Sequence, residues 1–414
     1  PDIPNNEFTR DEILSMLAEE MLDAAEQLPA SQPEVGRIHK YIALAYAAKI
    51  KLYQAYQQDE TTHAVTSINK ELLREVVSLC DQVTASNRYG LLDDFQGLDL
   101  VANENGKESV FAIQYSMNDG TESAGRINWS NLLNSPGGGS PYGGDGFFLP
   151  SQDLINAYQT DANGLPDFNY QSKSDYSWAV LNNGVYTLQN TTPNVDPRLD
   201  FVVGRPTITW KTYPDKPCEG WVRDKETYGY NCAKRFWVSP ESSDMFNGWP
   251  WGASQLNWQI IRYADILLWK AEALIELNEG DGLETARDLI NQIRNRARNS
   301  AYVKDFNDHS KYAANYLVNP YPADVWNQDY ARQALRWETR LEKALEGERF
   351  FDLVRWGIVE TTMNKYITAE SDNRIYYANA HFTGGKDEYY PVPNNQYGFS
   401  GGKYVQNPGY APFN

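Results

Sequence analysis

Residues 262–297, "RYADILLWKAEALIELNEGDGLETARDLINQIRNRA", carry two apolar stripes of helical period separated by one turn. Ala264, Leu267, Leu268, Ala271, Leu274 and Ile275 form the first stripe, and Ala286, Leu289, Ile290, Ile293 and Ala297 form the second. Gly280 and Gly282 mark the turn. A lone helix pair of this kind cannot bury its apolar faces, so it must stack on others. The unit is close to the roughly 34 residues of a tetratricopeptide repeat, with alanine where helices approach closely.

The same period recurs elsewhere. Thr9 and Glu12 form a capping-box pattern ahead of Leu14, Leu17, Ala18, Met21, Ala25 and Leu28, and Pro29 is the stop signal. Ala43, Tyr46, Ala47, Ile50 and Tyr53 mark a second helix; Leu73, Val76, Val77 and Cys80 mark a third. A later helix carrying Tyr330, Ala334, Trp337, Leu341 and Leu345 is expected to lead straight into "EGERFFDLVRWG" at 346–357.

Residues 91–254 break this rhythm. They hold seven of the twelve Trp and seventeen of the 29 Gly, including the run "SPGGGSPYGGDG", with short alternating pieces such as "SVFAIQY" that read as strands. The expected fold is therefore mainly α: helix-pair repeats at 1–90 and 255–370, a loop-rich, aromatic insertion with short strands at 91–254, and a loop-rich C-terminal segment at 371–414 packed on the scaffold.

The chain's formal net charge of -18 repels a phosphate backbone, and no basic stripe offsets it, so nucleic acid is not an expected partner. His39, His63, His309 and His381 lie far apart, with no His or Cys at metal-ligand spacing; neither a metal nor a cofactor is expected. No run of about 18 apolar residues is present to span a membrane. The opening "PDIPNNEF" reads as the interior of a protein, which suggests a processed or truncated start.

Acid/base chemistry finds weak material. Asp93 with Asp94, and Glu346 with Glu348, are near neighbours that point in different directions, whereas glycosidase carboxylates face one cleft roughly 5 to 9 Å apart. The Gly-rich run at 137–146 lacks the GxxxxGK[ST] pattern of a phosphate cradle and reads as a loop. Asp161, Asn163 and Asp167 lack EF-hand spacing and read as a turn. No catalytic residue is assigned.

Aromatic side chains are the better signal, because a sugar ring stacks its C–H face on an indole or phenol while polar groups bind its rim. Trp210, Tyr213, Trp221, Trp237, Trp249 and Trp251 lie in Gly/Pro-punctuated segments without core periodicity, with Arg205, Arg223 and Asp224 as polar neighbours. These six aromatics and Arg223 are the expected ligand-binding residues. Trp269, Trp337 and Trp356 lie on helical stripes and are assigned to packing. Cys80 reads as core, while Cys218 and Cys232 border one loop, where an oxidising compartment would let them bridge.

"RYADILLWKAEALIEL" with "INQIRNRA", then "EGERFFDLVRWG", then "YVQNPGY", in that order, resemble the SusD/RagB family. Secondary echoes are "FFLPSQDLINAYQTDANGLPDF" and "DPRLDFVVGRP". The resemblance implies tetratricopeptide-like helix pairs supporting a loop-rich ligand subdomain. It also implies a surface-exposed outer-membrane lipoprotein of Bacteroidota, anchored through a lipid outside this sequence. Such a protein binds glycans without cleaving them and delivers oligosaccharide to a TonB-dependent, SusC-like barrel. A tetratricopeptide-type peptide-binding adaptor fits the helices but not the aromatic insertion, and a glycoside hydrolase fits the aromatics but lacks acid/base residues. In "EGERFFDLVRWG", Arg349, Asp352 and Arg355 fall on one helix face with alternating sign. With Arg262, Asp265, Arg294 and Arg296 they are expected to form an ion-paired scaffold between helices.

Overall fold

A computed structural model describes residues 3–122, 125–134, 136–176, 179–182, 185–188, 193–212 and 220–413. Thr9 opens α1 (Arg10–Gln27) with the expected capping box: the Thr9 side chain accepts from the Glu12 amide, and Glu12 accepts from the Thr9 amide at 2.8 Å. The remaining helices are α2 (Lys40–Ala55), α3 (Lys70–Ala85), α4 (Gln152–Ala157), α5 (Arg198–Val202), α6 (Lys225–Tyr228), α7 (Tyr263–Leu277), α8 (Gly282–Asn299), α9 (Gln328–Glu342), α10 (Arg349–Arg355), α11 (Val359–Glu370) and α12 (Asn394–Phe399). Among the described residues, no helix is long and apolar enough to cross a membrane.

The long helices stack in order. α1 packs on α2, α2 on α3, α3 on α7, and α7 on both α8 and α9. Ala43, Ala47 and Ala48 of α2, Val76 and Cys80 of α3, and Ala264 and Ala271 of α7 are buried in one core with Ile290 and Ile293 of α8. Small side chains at the crossings let the axes approach, which is why alanine marks the seams. The stripe tryptophans pack as expected: Trp269 and Trp356 are buried, and the Trp337 indole donates to the Ala157 carbonyl at 3.1 Å.

The chain leaves this stack after α3 and returns at α7 in the next place. The strand expected in "SVFAIQY" forms at Ser109–Ile113 and pairs antiparallel with Trp258–Arg262, so the exit and return lie side by side. The other strands are short pairs.

One expectation fails at the end of α9. Its helix stops at Glu342, and Leu345 adopts a left-handed backbone at φ 66°, so the chain turns at 343–346 and only Arg349–Arg355 of the charged stretch is helical. The reversal brings the Glu346 carboxylate to Arg262 at 2.8 Å. The ladder on α10 is also shorter than expected. Asp352 pairs with Arg355 at 2.7 Å, and Arg355 pairs with Glu272 of α7, but the Arg349 guanidinium donates to the Arg336 carbonyl at 3.4 Å.

The larger electrostatic feature lies between scaffold and insertion. Arg198 binds Asp196 at 2.7 Å, Glu338 at 2.6 Å and Glu342 at 3.2 Å. Arg294 holds the other oxygen of Glu338 at 3.0 Å. Arg262 reaches Glu108 at 2.8 Å and Glu342 at 3.0 Å, and Arg296 joins the same two carboxylates. Glu346 extends the chain of contacts to Lys343 and Arg235, Lys343 to Asp265, and Arg235 to Asp99 and thence Lys211. The expected scaffold role of Arg262, Asp265, Arg294 and Arg296 is thus what the structure shows. Seven cations (Lys211, Lys343 and Arg198, Arg235, Arg262, Arg294, Arg296) face seven carboxylates (Asp99, Asp196, Asp265, Glu108, Glu338, Glu342, Glu346), none of them more than 15 % exposed at the side chain. The formal charges cancel, which is the condition for burying them together.

The insertion has its own core. Trp210, Trp221, Trp237 and Tyr142 pack with Val222 and Cys232. The Trp210 indole donates to the Tyr142 hydroxyl at 2.9 Å, and that hydroxyl donates to the Val238 carbonyl at 2.6 Å, so the buried polar edges are satisfied. At Gly252, with φ 73°, a Cβ would come within 2.6 Å of the Trp237 ring. The expected bridge between Cys218 and Cys232 falls on Cys218, which lies outside the described residues; Cys232 is a buried free thiol against the Gly204 carbonyl.

These arrangements make three measurable statements. Glu342→Ala should destabilise the fold by about 3–5 kcal/mol in chemical denaturation, because it strands Arg198, Arg262 and Arg296 in the interior. Burial alone would raise Glu342 and Glu346, but Arg296, Arg262 and Arg198 around the first, and Arg262, Lys343 and Arg235 around the second, hold both below the ordinary carboxylate range. A depressed folded pKa stabilises above the unfolded value near ~4.3 and is lost as pH falls below it, so Tm should drop steeply as pH falls from about 4.3 toward 2. A flat Tm across that window would contradict the reading. Trp237→Ala should cost about 3–5 kcal/mol, against less than about 0.5 kcal/mol for Trp251→Ala, whose ring is half exposed.

Candidate functional site

Burial sorts the expected binding residues into two groups. Trp210, Trp221 and Trp237 are 0 %, 3 % and 2 % exposed, so no ring face is free for a ligand, and they leave the candidate list. Their physical role is to supply the apolar mass that a Gly-rich, weakly regular module needs for its core. Arg205 is likewise buried and pairs with Asp200 at 2.8 Å. Tyr213 lies outside the described residues.

Trp249, Trp251 and Arg223 are on the surface. Trp249 is 62 % and Trp251 51 % exposed, on a turn closed by the Phe246 amide donating to the Ala253 carbonyl at 2.9 Å. Asn128 pairs with Ser254 just beyond that turn, its amide donating to the Ser254 carbonyl at 2.8 Å. The turn is therefore anchored at its base while the indoles project.

The Gly-rich loop supplies the floor beside them. Gly143, at φ 72°, lies under Trp251, where a Cβ would come within 3.1 Å of the Trp251 Cβ. One residue on, the Arg223 guanidinium donates to the Gly144 carbonyl at 3.0 Å and to Asp145 at 2.9 Å. Gly137 meets the same partner segment, its amide donating to the Trp221 carbonyl at 3.0 Å. Loop 137–146 thus brings Trp251 and Arg223 together, although 28 residues separate them in sequence. The Arg223–Asp145 pair is exposed on both sides and adds little stability, but it presents fixed donors and acceptors to a ligand.

Exposed rings that sequence reasoning did not single out flank this area. Phe147 is 62 % exposed and hangs from the same loop, its amide donating to the Leu133 carbonyl at 3.0 Å. Trp129 follows Asn128 and is 45 % exposed. The available signal was their position next to the Gly-rich run, since neither shows any periodicity.

The residues weighed for other chemistry are engaged structurally. Asp94 accepts from the Gln96 and Ala301 amides, Asp93 pairs with Lys107 in solvent, and Glu346 is locked in the buried network while Glu348 pairs with Lys49. Asp161 closes a turn by accepting from the Asn163 and Leu165 amides. Among the described residues, no group of His, Cys, Asp and Glu is placed to hold a metal ion. A separate cleft of about 1040 Å³ runs past Phe95, Asp99, Lys211 and Asp244, but Asp99 and Lys211 already pair with each other at 3.0 Å.

The fold matches solved structures across nearly the whole chain. A SusD superfamily protein from Bacteroides vulgatus aligns with a TM-score of 0.66 at 20 % identity, covering 97 % of this chain and 69 % of that one. Surface glycan-binding protein A from Bacteroides fluxus aligns with a TM-score of 0.65 at 19 % identity, over 99 % and 73 % of the two chains. A laminarin-binding SusD-like protein aligns with a TM-score of 0.54 at 20 % identity, over 96 % and 69 %. No curated protein sequence matches the chain. The model of the SusD family matches residues 107–410, which takes in most of the insertion, helices α7 to α11 and most of the C-terminal segment. By that match, and by the helix-pair scaffold it shares with these structures, the chain belongs to the SusD family.

Proposed function

We propose that this chain binds oligosaccharide without cleaving it, at the face formed by Trp249, Trp251 and Arg223 beside loop 137–146. The observation that carries the reading is the division among the insertion's tryptophans: three are closed into a core, whereas Trp249 and Trp251 stand in solvent on an anchored turn. Leaving two indoles exposed forgoes their burial energy, and a flat ligand with a C–H face recovers it. Family membership points the same way, as does the laminarin bound by one structural relative. Each ring stack is worth roughly 0.5–1.5 kcal/mol beyond burial, by analogy with aromatic pairs, so affinity comes from several contacts together.

We extend this reading to a wider role that family membership supports. The protein acts at the outer surface of the outer membrane, held by a lipid anchor, and hands its oligosaccharide to a TonB-dependent barrel. Nothing in the described site supplies an activated nucleophile or a facing pair of carboxylates, so capture without turnover is the chemistry we assign.

Calorimetric titration against neutral oligosaccharides tests the site. Trp249→Ala/Trp251→Ala should weaken binding about tenfold or more while leaving Tm nearly unchanged, since two stacks of that size are lost. Affinity should change less than about twofold across a tenfold range of salt, because no ion pair to the ligand is screened. Parent-like binding by the double variant, or release of reducing sugar from the ligand, would overturn the assignment.

A further inference from the structure

A second aromatic cleft lies away from the insertion, against the scaffold helices. It has a volume of about 700 Å³ and is lined by the end of α2 and its following strand, by α10, and by the C-terminal segment around 387–410. None of the described residues of 91–254 lines it. That volume falls inside the roughly 300–1,000 Å³ of small-ligand sites. Phe351 is 57 % and Tyr390 91 % exposed, unusual for rings on well-anchored backbone: the Tyr390 carbonyl accepts from Asn407 at 2.6 Å, and Phe351 belongs to helix α10. Tyr389 and Tyr410 complete the aromatic wall, and the Tyr410 hydroxyl donates to the Tyr389 carbonyl at 2.8 Å, which fixes one against the other.

Two acceptors in this cleft lack donors. Gln58 Oε1 and Glu388 Oε2 are buried and have no hydrogen-bond partner among the described residues, although both residues line the cleft. Each group is held by its other end: Gln58 Nε2 donates to the Val354 carbonyl at 3.1 Å, and Glu388 Oε1 accepts from the Gly385 amide at 3.1 Å. A buried acceptor left without a donor is unfavourable, and a donor from a ligand would relieve it. Aromatic faces beside unfilled acceptors call for a molecule with an apolar face and hydroxyl donors at its rim. We infer that this cleft is a second saccharide subsite, which takes a neutral oligosaccharide on the scaffold side of the same molecule. The inference rests on the glycan-binding reading above and extends it: one long polysaccharide would engage two separate places, and the second contact would be intramolecular.

The test uses the whole chain and a panel of neutral oligosaccharides (β-1,3-glucan, xyloglucan, maltodextrin, fructan and xylan), with calorimetry on three proteins. The Trp249→Ala/Trp251→Ala variant should keep weak, one-to-one binding to at least one panel member, and Phe351→Ala/Tyr390→Ala should lose that component while keeping the stronger one. On the parent polysaccharide, Phe351→Ala/Tyr390→Ala should lower affinity roughly tenfold or more through lost avidity. Both rings are exposed, so folding is expected to survive, and an unchanged Tm checks it. If Phe351→Ala/Tyr390→Ala binds every glycan with the stoichiometry and affinity of the parent, the cleft is not a sugar site. If that variant instead loses only capture of a protein partner, the surface is a protein dock and the inference falls. If it abolishes all glycan binding while Trp249→Ala/Trp251→Ala changes nothing, the inference stands and the insertion site is the one that fails. If the parent binds no glycan of the panel, both readings fall together.

Discussion

The fold depends on seven cations and seven carboxylates buried together where the insertion meets the helices. Their removal from water costs several kcal/mol per ion, offset because Arg198, Arg235, Arg262 and Arg296 each find more than one carboxylate oxygen at hydrogen-bonding distance, while Arg294 divides its donors between Glu338 and the Asn319 and Gly164 carbonyls. Arg262 alone, at the N-terminus of α7, touches Glu108 from the start of the insertion and both Glu342 and Glu346 from the end of α9. Such a cluster adds less to net stability than its contact list suggests. What it does is to specify arrangement: a shifted α9, or an insertion docked in another register, would leave charges unpaired in the interior.

The insertion solves a different problem. With glycine so frequent and strands so short, it cannot build a core from periodic apolar stripes, so it uses a few large rings with satisfied polar edges. Tyr142, Trp210, Trp221 and Trp237 meet at centroid separations of 4.6–6.3 Å. Loops packed on that nucleus hold Trp251 and Arg223 against the same Gly-rich loop, 137–146.

How much of this was legible in the sequence follows from the kind of signal involved. Helix pairs advertise themselves through period, so the alanine seams of α2, α7 and α8 and the Thr9 capping box read directly. The end of α9 did not, because Leu345 continues the apolar spacing while its backbone turns left-handed to deliver Glu346 inward. Arg262, Arg294 and Arg296 could be read as structural from their place on a helix hairpin, yet Glu108, Asp99 and Arg235 carry no mark of their distant partners. The platform rings were the least legible. In a segment without period, buried Trp237 and exposed Trp251 look alike, and only the fold of loop 137–146 tells them apart.

The antiparallel pairing of Ser109–Ile113 with Trp258–Arg262 has a consequence for what the module can become. Departure and return are clasped next to each other, and between them, among the described residues, the chain returns to the seven-and-seven charge cluster at Asp196, Arg198, Lys211 and Arg235, and pairs with the scaffold again through Asp153 and Arg340. The intervening spans behave as interchangeable cassettes hung from fixed pins. Lengthening a flexible span raises its closure entropy only slowly, by about 0.6 kcal/mol per doubling. A single helical frame of this kind can therefore carry differently shaped recognition surfaces with little penalty to itself.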